Sequence, residues 1–352
     1  MGEEVPKYSI SVPVYNMIAL LPKCIDSLMR QEFEDLEVIL VDDCSTDNSF
    51  QICLNATKAD KRFRAVRQDK NRGLSSTRNL GVQNANGKYV TFVDSDDYVE
   101  DNFIMSVDAK ERQFQCDMIS WGLFNDVVYP DGTIEVAVSN LNYPTEFLAK
   151  PAGEEEWTRF IMNTFFASTC LRIYRLDIIR KYGLVFDTEC VDFEDYIFNI
   201  SYCRHIHSFL VMKESFYHYR QPYGQLSTVK RKWGTVVPFD VSDRVFRATE
   251  TFFRDTGFNH VGTKKVYLYV YKAYFNEIEY AYRTKAYCNF VKAVMSLMTN
   301  KSFYIMLGEL QSSSVGHFAK MLRFLIDMRL KRTFGWALWL MEYRSLGRVK
   351  RK

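Results

Sequence analysis

Two short apolar runs, each closed by adjacent carboxylates, constrain this chain more than anything else in it. Leu36–Val41 reads LEVILV and is followed by Asp42-Asp43, and Lys88–Val93 reads KYVTFV and is followed by Asp94-Ser95-Asp96-Asp97. A near-continuous apolar run of this length suits a strand buried on both faces, as parallel sheets require. Ser9–Val14 and Phe63–Val66 read as further short strands. Helical spacing fills the gaps at Ile18–Arg30, after the start signal Ser45-Thr46-Asp47, and at Leu74–Ala85. Asp101–Phe114 predicts another helix and Asp117–Trp121 another strand. Alternation across residues 8–121 predicts an α/β fold with an open, mostly parallel sheet flanked by helices. Ligands of such sheets bind beyond the carboxyl ends of the strands. Both acidic clusters fall there.

Three carboxylates within four residues repel one another, and a cation or hydrogen-bond donors must neutralise them. Mg²⁺ or Mn²⁺ takes one or two carboxylates and completes its shell with water and substrate phosphates. The competing reading is helix capping, which acids also favour: Asp94–Asp97 for the helix over 101–114, and Asp42-Asp43 for the helix after Ser45. Other chemistries lack their motifs. The chain has no G-x-G-x-x-G, no G-x-x-x-x-G-K-[ST] and no G-x-S-x-G.

Farther along, Tyr129-Pro130-Asp131-Gly132 predicts a hairpin turn. Glu154–Asn163, Leu176–Tyr182 and Phe193–Cys203 read as helices, and the pattern from about Lys230 onward is helical and rich in aromatics. Phe, Tyr and Trp make up 15% of the chain, which suits a large core, a sugar-stacking surface or a membrane interface. The eight cysteines are scattered without zinc spacing, as buried thiols of a reducing compartment would be. With no signal-peptide core and no apolar run of spanning length, a cytoplasmic location is expected.

The ordered motifs resemble those of the inverting glycosyltransferases of family 2, of the bacterial surface-polysaccharide type, which have the GT-A fold. Four blocks over about residues 8–105 carry the resemblance: Ile10–Asn16 (ISVPVYN), Val41–Asp47 (VDDCSTD), Asn71–Asn79 (NRGLSSTRN) and Gly87–Asp97 (GKYVTFVDSDD). Val185-Phe186-Asp187 through Phe193–Phe198 (FEDYIF) resembles the acceptor-side motif, and Tyr217-His218-Tyr219-Arg220 through Ser227-Thr228 resembles the close of the catalytic domain. Where many relatives carry Trp-x-Lys, this chain has Thr169-Cys170-Leu171-Arg172.

The resemblance implies transfer of a sugar from a nucleotide-diphosphate donor, a UDP-sugar, to a hydroxyl of a glycan or lipid-linked acceptor, with inversion and with Mg²⁺ or Mn²⁺. Asp43 would accept a base N–H, Tyr15 would stack on the base, and Pro13 and Val14 would supply backbone contacts. Arg78 would approach the nucleotide or diphosphate, against the plainer reading of an exposed helical arginine. Asp94 and Ser95 would sit at the nucleotide, and Asp96, with Asp94, at the metal. Asp97 is unassigned. Asp195 would be the base for the acceptor hydroxyl, with Glu194 orienting it, although both acids also suit the first turn of a helix. Arg220 and Ser227 would meet the diphosphate, and His218 is a weaker candidate. The alternatives are a nucleotidyltransferase and a non-catalytic sugar- or membrane-binding protein.

The expected division is a catalytic domain over 1–230, with a nucleotide-binding half at 1–120 and an acceptor-binding half at 121–230, then a helical region over 231–352. From His317 to Lys352 ten Lys/Arg face two Asp/Glu, about +8 in a chain whose net charge is +3. Phe318, Met321, Leu322, Leu325 and Met328 share one helical face there. A basic amphipathic tail of this kind predicts a membrane surface as partner, or else a helix packed on the catalytic domain. Nucleic acid is not expected, since no recognised binding module accompanies the charge.

Overall fold

A strand with no polar face needs cover on both sides, and the apolar runs form the covered centre of one sheet. The computed structural model describes residues 5–139, 146–163, 165–190, 192–224 and 239–258. Strands β1 (Tyr8–Val14), β2 (Leu36–Asp42), β3 (Phe63–Arg67) and β4 (Tyr89–Phe92) lie parallel in the order β3-β2-β1-β4. Every residue of β1, β2 and β4 is buried. Helices α1 (Leu21–Met29), α2 (Ser49–Ala59) and α3 (Leu74–Asn84) make the crossovers. Close packing of α3 on β1 depends on Gly81, where a Cβ would stand 1.9 Å from Ser11 Oγ.

The sheet continues as β4-β9-β6-β10-β5, built from β5 (Tyr98–Val99), β6 (Met118–Val128), β9 (Arg172–Arg175) and β10 (Phe209–Pro222). Strand β9 runs antiparallel to both neighbours, while β10 is parallel to β6. Two more strands, β7 (Ile134–Ser139) and β8 (Phe147–Ala149), pair with β6 and β10, giving ten strands in all among the described residues. Around them lie α4 (Phe103–Phe114), α5 (Glu154–Ile161), α6 (Leu176–Tyr182) and α7 (Glu194–Cys203), and α8 (Phe239–Thr256) follows β10 in the chain. The GT-A arrangement of an open α/β sheet is thus observed, with β6–β7 as the expected hairpin.

Three departures have physical causes. Strand β6 runs seven residues past Trp121, to Val128, because pairing with β7 and β10 satisfies its backbone where the apolar pattern stops. The fourteen-residue β10 has no counterpart among the expected elements. Irregular register between Val211, Ser215 and Tyr217 breaks the alternation that would reveal a strand. Strand β9 reads RIYR, with its first arginine buried, which hides a central strand behind charge.

Part of the aromatic excess is core. Phe186 stacks on Phe198 with ring centroids 4.0 Å apart, and Phe92 meets both edge-on. Trp157 packs on Phe209 and Phe252. Cys24, Cys53, Cys116, Cys170, Cys190 and Cys203 are buried thiols, as expected. Residues 248–258 group with the sheet-bearing unit, and 239–247 with a second unit. The expected boundary at 230, Ser227 and the 317–352 tail lie outside the described residues. Among the described residues no helix is long and apolar enough to cross a membrane.

Candidate active site

The site forms where β1, β2 and β4 end. At β4, Asp97 N–H donates to Asp94 O at 3.0 Å and closes a tight turn. Helix α4 starts only at Phe103, with Asn102 as its N-cap, so the Asp94–Asp97 cluster does not cap it. Asp97 instead clamps the turn to β10. Tyr217 Oη donates to Asp97 Oδ2 at 2.6 Å and accepts the Asp94 N–H at 3.2 Å, and Arg220 N–H donates to Asp97 Oδ1 at 2.8 Å. The unassigned acid is therefore structural, and Tyr217, named in the sequence only as part of a motif, gains its role from the fold.

Asp96 is left with its carboxyl available. Burial, with Asp94 beside it, pushes that carboxyl up to about 6. Apart from its own backbone N–H, none of the described hydrogen bonds goes to it. A carboxyl burdened in this way fits a cation, which would relieve the crowding. Among the described residues no three His, Cys, Asp or Glu side chains converge as a ready-made metal cage. A cation here would draw on Asp96, with Asp94 at its side, and on oxygens from donor and solvent. Ser95 is buried within the same turn.

The next residue inward is Arg78, on α3. It is not the exposed helical arginine of the plainer reading, being only 2% exposed at the side chain. Its Nη2 donates to Asp94 Oδ1 at 2.9 Å and its Nη1 to Asp195 Oδ1 at 2.5 Å, with Glu194 Oε1 at 3.5 Å. Burial opposes its charge, but Asp195 and Asp94 outweigh that penalty and keep the guanidinium protonated. One cation thus joins Asp94, just past the end of β4, to the Glu194–Asp195 pair at the start of α7.

Glu194 and Asp195 open α7, immediately after Phe193, which holds a left-handed φ of 64°. A bulky residue in that conformation stores strain, and such strain gathers where a side chain must be aimed. Asp195 Oδ2 accepts Thr169 N–H at 3.3 Å and Thr169 Oγ1–H at 3.1 Å. Thr169 lies in the stretch that departs from the family pattern, and nothing in the sequence links it to a carboxylate 26 residues on. Burial raises Asp195 above the ordinary carboxylate range, Arg78 opposes, and Asp94 adds to the rise. Burial and then Asp195 push Glu194 up to about 8. The acids therefore begin a helix and form a basic pair at the same time.

At the β2 end Asp43 organises the loop before α3. Its Oδ1 accepts Arg72 N–H and Gln68 Nε2–H, both at 2.7 Å, and its Oδ2 accepts Gly73 N–H at 2.8 Å. Asp42 holds Ser45 N–H and pairs with Arg67, while α2 begins at Ser49. Neither acid is the N-cap of α2. Asn16, with a left-handed φ of 53°, ties the β1 end to that loop by accepting Thr46 N–H at 2.8 Å. Pro13 and Val14 are buried in β1, and Tyr15 beyond them is 42% exposed. Arg220 favours ionisation of Asp96. His218 lies between Tyr98 and Phe124, with Nδ1 at Asp126 and Nε2 at Glu100, a packing role.

Residues 9–183 match the Glycosyl transferase family 2 profile. The uncharacterized glycosyltransferase EpsJ of Bacillus subtilis (strain 168) is 32% identical over 232 residues, covering 65% of this chain and 65% of EpsJ. Glycosyltransferase GlyA of Streptococcus pneumoniae serotype 4 is 30% identical over 254 residues, 68% of this chain and 34% of GlyA. The chain thus spans under two thirds of each relative. Residues 1–349 of S. aureus TarS in complex with UDP-GlcNAc share the fold, with a TM-score of 0.64 at 17% identity over 94% of this chain and 92% of that one. This chain belongs to glycosyltransferase family 2.

Removing the cation from the middle of this cluster leaves buried carboxylates unpaired, which costs about 3–5 kcal/mol. In Arg78→Met the acids would carry folded-state pKa values further above their unfolded ones. A raised folded pKa means stability present at low pH and lost as pH rises. The loss of Tm in Arg78→Met is therefore expected to be large near pH 8 and to narrow toward pH 5 in thermal melts at matched ionic strength. A loss that is constant across that range would contradict the pairing.

Proposed function

We propose that this chain moves a sugar from a nucleotide-diphosphate donor, a UDP-sugar, to a hydroxyl of a glycan or lipid-linked acceptor, with inversion at the anomeric carbon. The observation that carries the reading is the spacing of roles around Arg78. Asp195, hydrogen-bonded and raised by burial, lies on one side, and on the other lies the acidic turn in which Asp96, alone of its three acids, lacks a side-chain partner among the described residues. Inverting transfer needs that division and no protein nucleophile.

In the proposed step the acceptor hydroxyl oxygen bonds to the anomeric carbon as the bond from that carbon to the diphosphate oxygen breaks. The diphosphate leaves with the electron pair, and Asp195 takes the hydroxyl proton. Burial raises its basicity above that of an ordinary carboxylate, which suits it to that task. Thr169 fixes the carboxylate, leaving it no freedom to turn from the acceptor. Glu194 orients Asp195 through their shared partner Arg78.

On the donor side Tyr15 offers a face for the base, Pro13 and Val14 supply backbone contacts, and Asp43 with Ser95 shapes the nucleotide pocket. Arg78 and Arg220 supply positive charge toward the diphosphate, and Ser227 belongs to the same proposal. Mg²⁺ or Mn²⁺ at Asp96 and Asp94 would stabilise the leaving charge electrostatically. The UDP-GlcNAc complex of TarS supports a uridine donor here by likeness of fold.

Transfer with a panel of nucleotide sugars tests this reading. Asp195→Asn is expected to lower turnover about 10²–10⁴-fold while nucleotide affinity persists. Asp96→Ala is expected to abolish the response to Mg²⁺ or Mn²⁺. Unchanged turnover in both variants would show that the site is misassigned. We further propose a catalytic domain over 1–230 and attachment of the 317–352 tail to the cytoplasmic membrane face. Full-length chain is then expected to float with anionic liposomes, and a 1–316 truncation is not. Equal flotation of both would remove the tail from the account.

A further inference from the structure

Strand β10 leaves the acidic turn and continues outward, and its odd-numbered residues share one face. Tyr217 on that face is the clamp on Asp97. Tyr219 follows, 37% exposed and within the field of Asp97, Asp96 and Asp94. Gln221 comes next, then Tyr223, 57% exposed. Register carries the face sideways onto β6, where Asn125 stands opposite Tyr219 and Val127 opposite Gln221. Tyr129 lies at the outer end, its ring stacked on Tyr223 with centroids 4.4 Å apart and 23° between planes. Tyr129 Oη donates to Glu135 Oε2 at 2.8 Å, which fixes the pair.

A lone exposed tyrosine needs no explanation, but this arrangement has three properties together. Two aromatic steps are separated by four strand residues, about 13 Å. Amide side chains lie between and beside them. No lysine or arginine falls on the face among Tyr217–Tyr223, Leu123–Tyr129 or Glu135–Ser139 at these registers, and Glu135 adds negative charge. Aromatic faces stack on the C–H faces of pyranose rings, and amides bond their hydroxyls. The span exceeds one pyranose ring. The absence of positive charge among these described residues disfavours phosphate-rich or uronic polymers.

We infer that this face is an acceptor track that binds a neutral oligosaccharide, with Tyr219 beside the reacting end and the Tyr129–Tyr223 pair holding sugars farther back. The inference rests on the transferase reading for the reacting end only. The face starts at Tyr217, whose hydroxyl holds Asp97, so its inner end lies at the acidic turn.

Binding, not turnover, tests it. The probes are cellohexaose, laminarihexaose and chitohexaose, with glucose and N-acetylglucosamine as single-ring controls, titrated into full-length chain by calorimetry and saturation-transfer NMR. At least one hexasaccharide is expected to bind more tightly than either monosaccharide, with transfer signals on internal rings. Tyr223→Ala is expected to weaken that hexasaccharide about tenfold. Tyr223→Phe, which keeps the ring, should bind as the native chain does and certifies the fold if Tyr223→Ala melts early. Hexasaccharides binding no better than monosaccharides, or equally to Tyr223→Ala and native chain, would overturn the track. Absence of transfer from every nucleotide sugar of the panel by the native chain would instead sink the transferase reading, so the two failures are distinct.

Discussion

One buried guanidinium facing three carboxylates sets the terms for the rest of this structure. A charge in a low-dielectric interior is tolerable only when paired and hydrogen-bonded, and Arg78 meets Asp94, Asp195 and Glu194. Those acids come from two separate parts of the chain, the end of β4 and the start of α7. Arg78 itself comes from a third, α3. The pairing therefore joins the parallel half of the sheet, through β4 and α3, to the segment that opens α7. With three acids to one base, negative charge is left over, and that excess adds to burial in making Glu194 and Asp195 rise instead of fall. The charge arrangement that raises Asp195, and that suits it to the proposed role of base, is thus the one that holds the cluster together.

A second layer of contacts relieves what Arg78 cannot. Tyr217 and the backbone of Arg220 hydrogen-bond Asp97 and oppose the rise that burial and the neighbouring acids impose on it, and Asp43 is consumed by the backbone before α3. Asp96 is the acid of the turn left available for a cation. The cluster that sequence presents as four similar polar residues is resolved by the fold into a clamp, a cation candidate and an ion-paired link to Arg78.

Much of this is legible in the sequence, and the boundary of legibility is physical. Parallel strands buried on both faces announce themselves as apolar runs, so β1, β2 and β4, and the acids that close the last two, can be read directly. Asp94, Asp96, Glu194 and Asp195 all stand out through their motifs. The burial of Arg78 does not, because a helix of weak amphipathicity gives no clue to which face an arginine takes. Thr169 and Tyr217 are invisible for a different reason. Their roles depend on partners 26 and 120 residues away, which only the folded sheet brings together. Strand β10 escapes notice because irregular register erases the period of two, and it carries both the clamp and the tyrosine face.

The central claim is that Arg78 and Asp195 act as one electrostatic unit. A double-mutant cycle on thermal and denaturant stability, using Arg78→Met, Asp195→Asn and the combined variant near neutral pH, measures that directly. Residues in one buried ion-pair network couple by about 0.5–3 kcal/mol. The account predicts that the double variant is less destabilised than the two single losses added together, by more than about 1 kcal/mol. Additivity to within about 0.5 kcal/mol would contradict it.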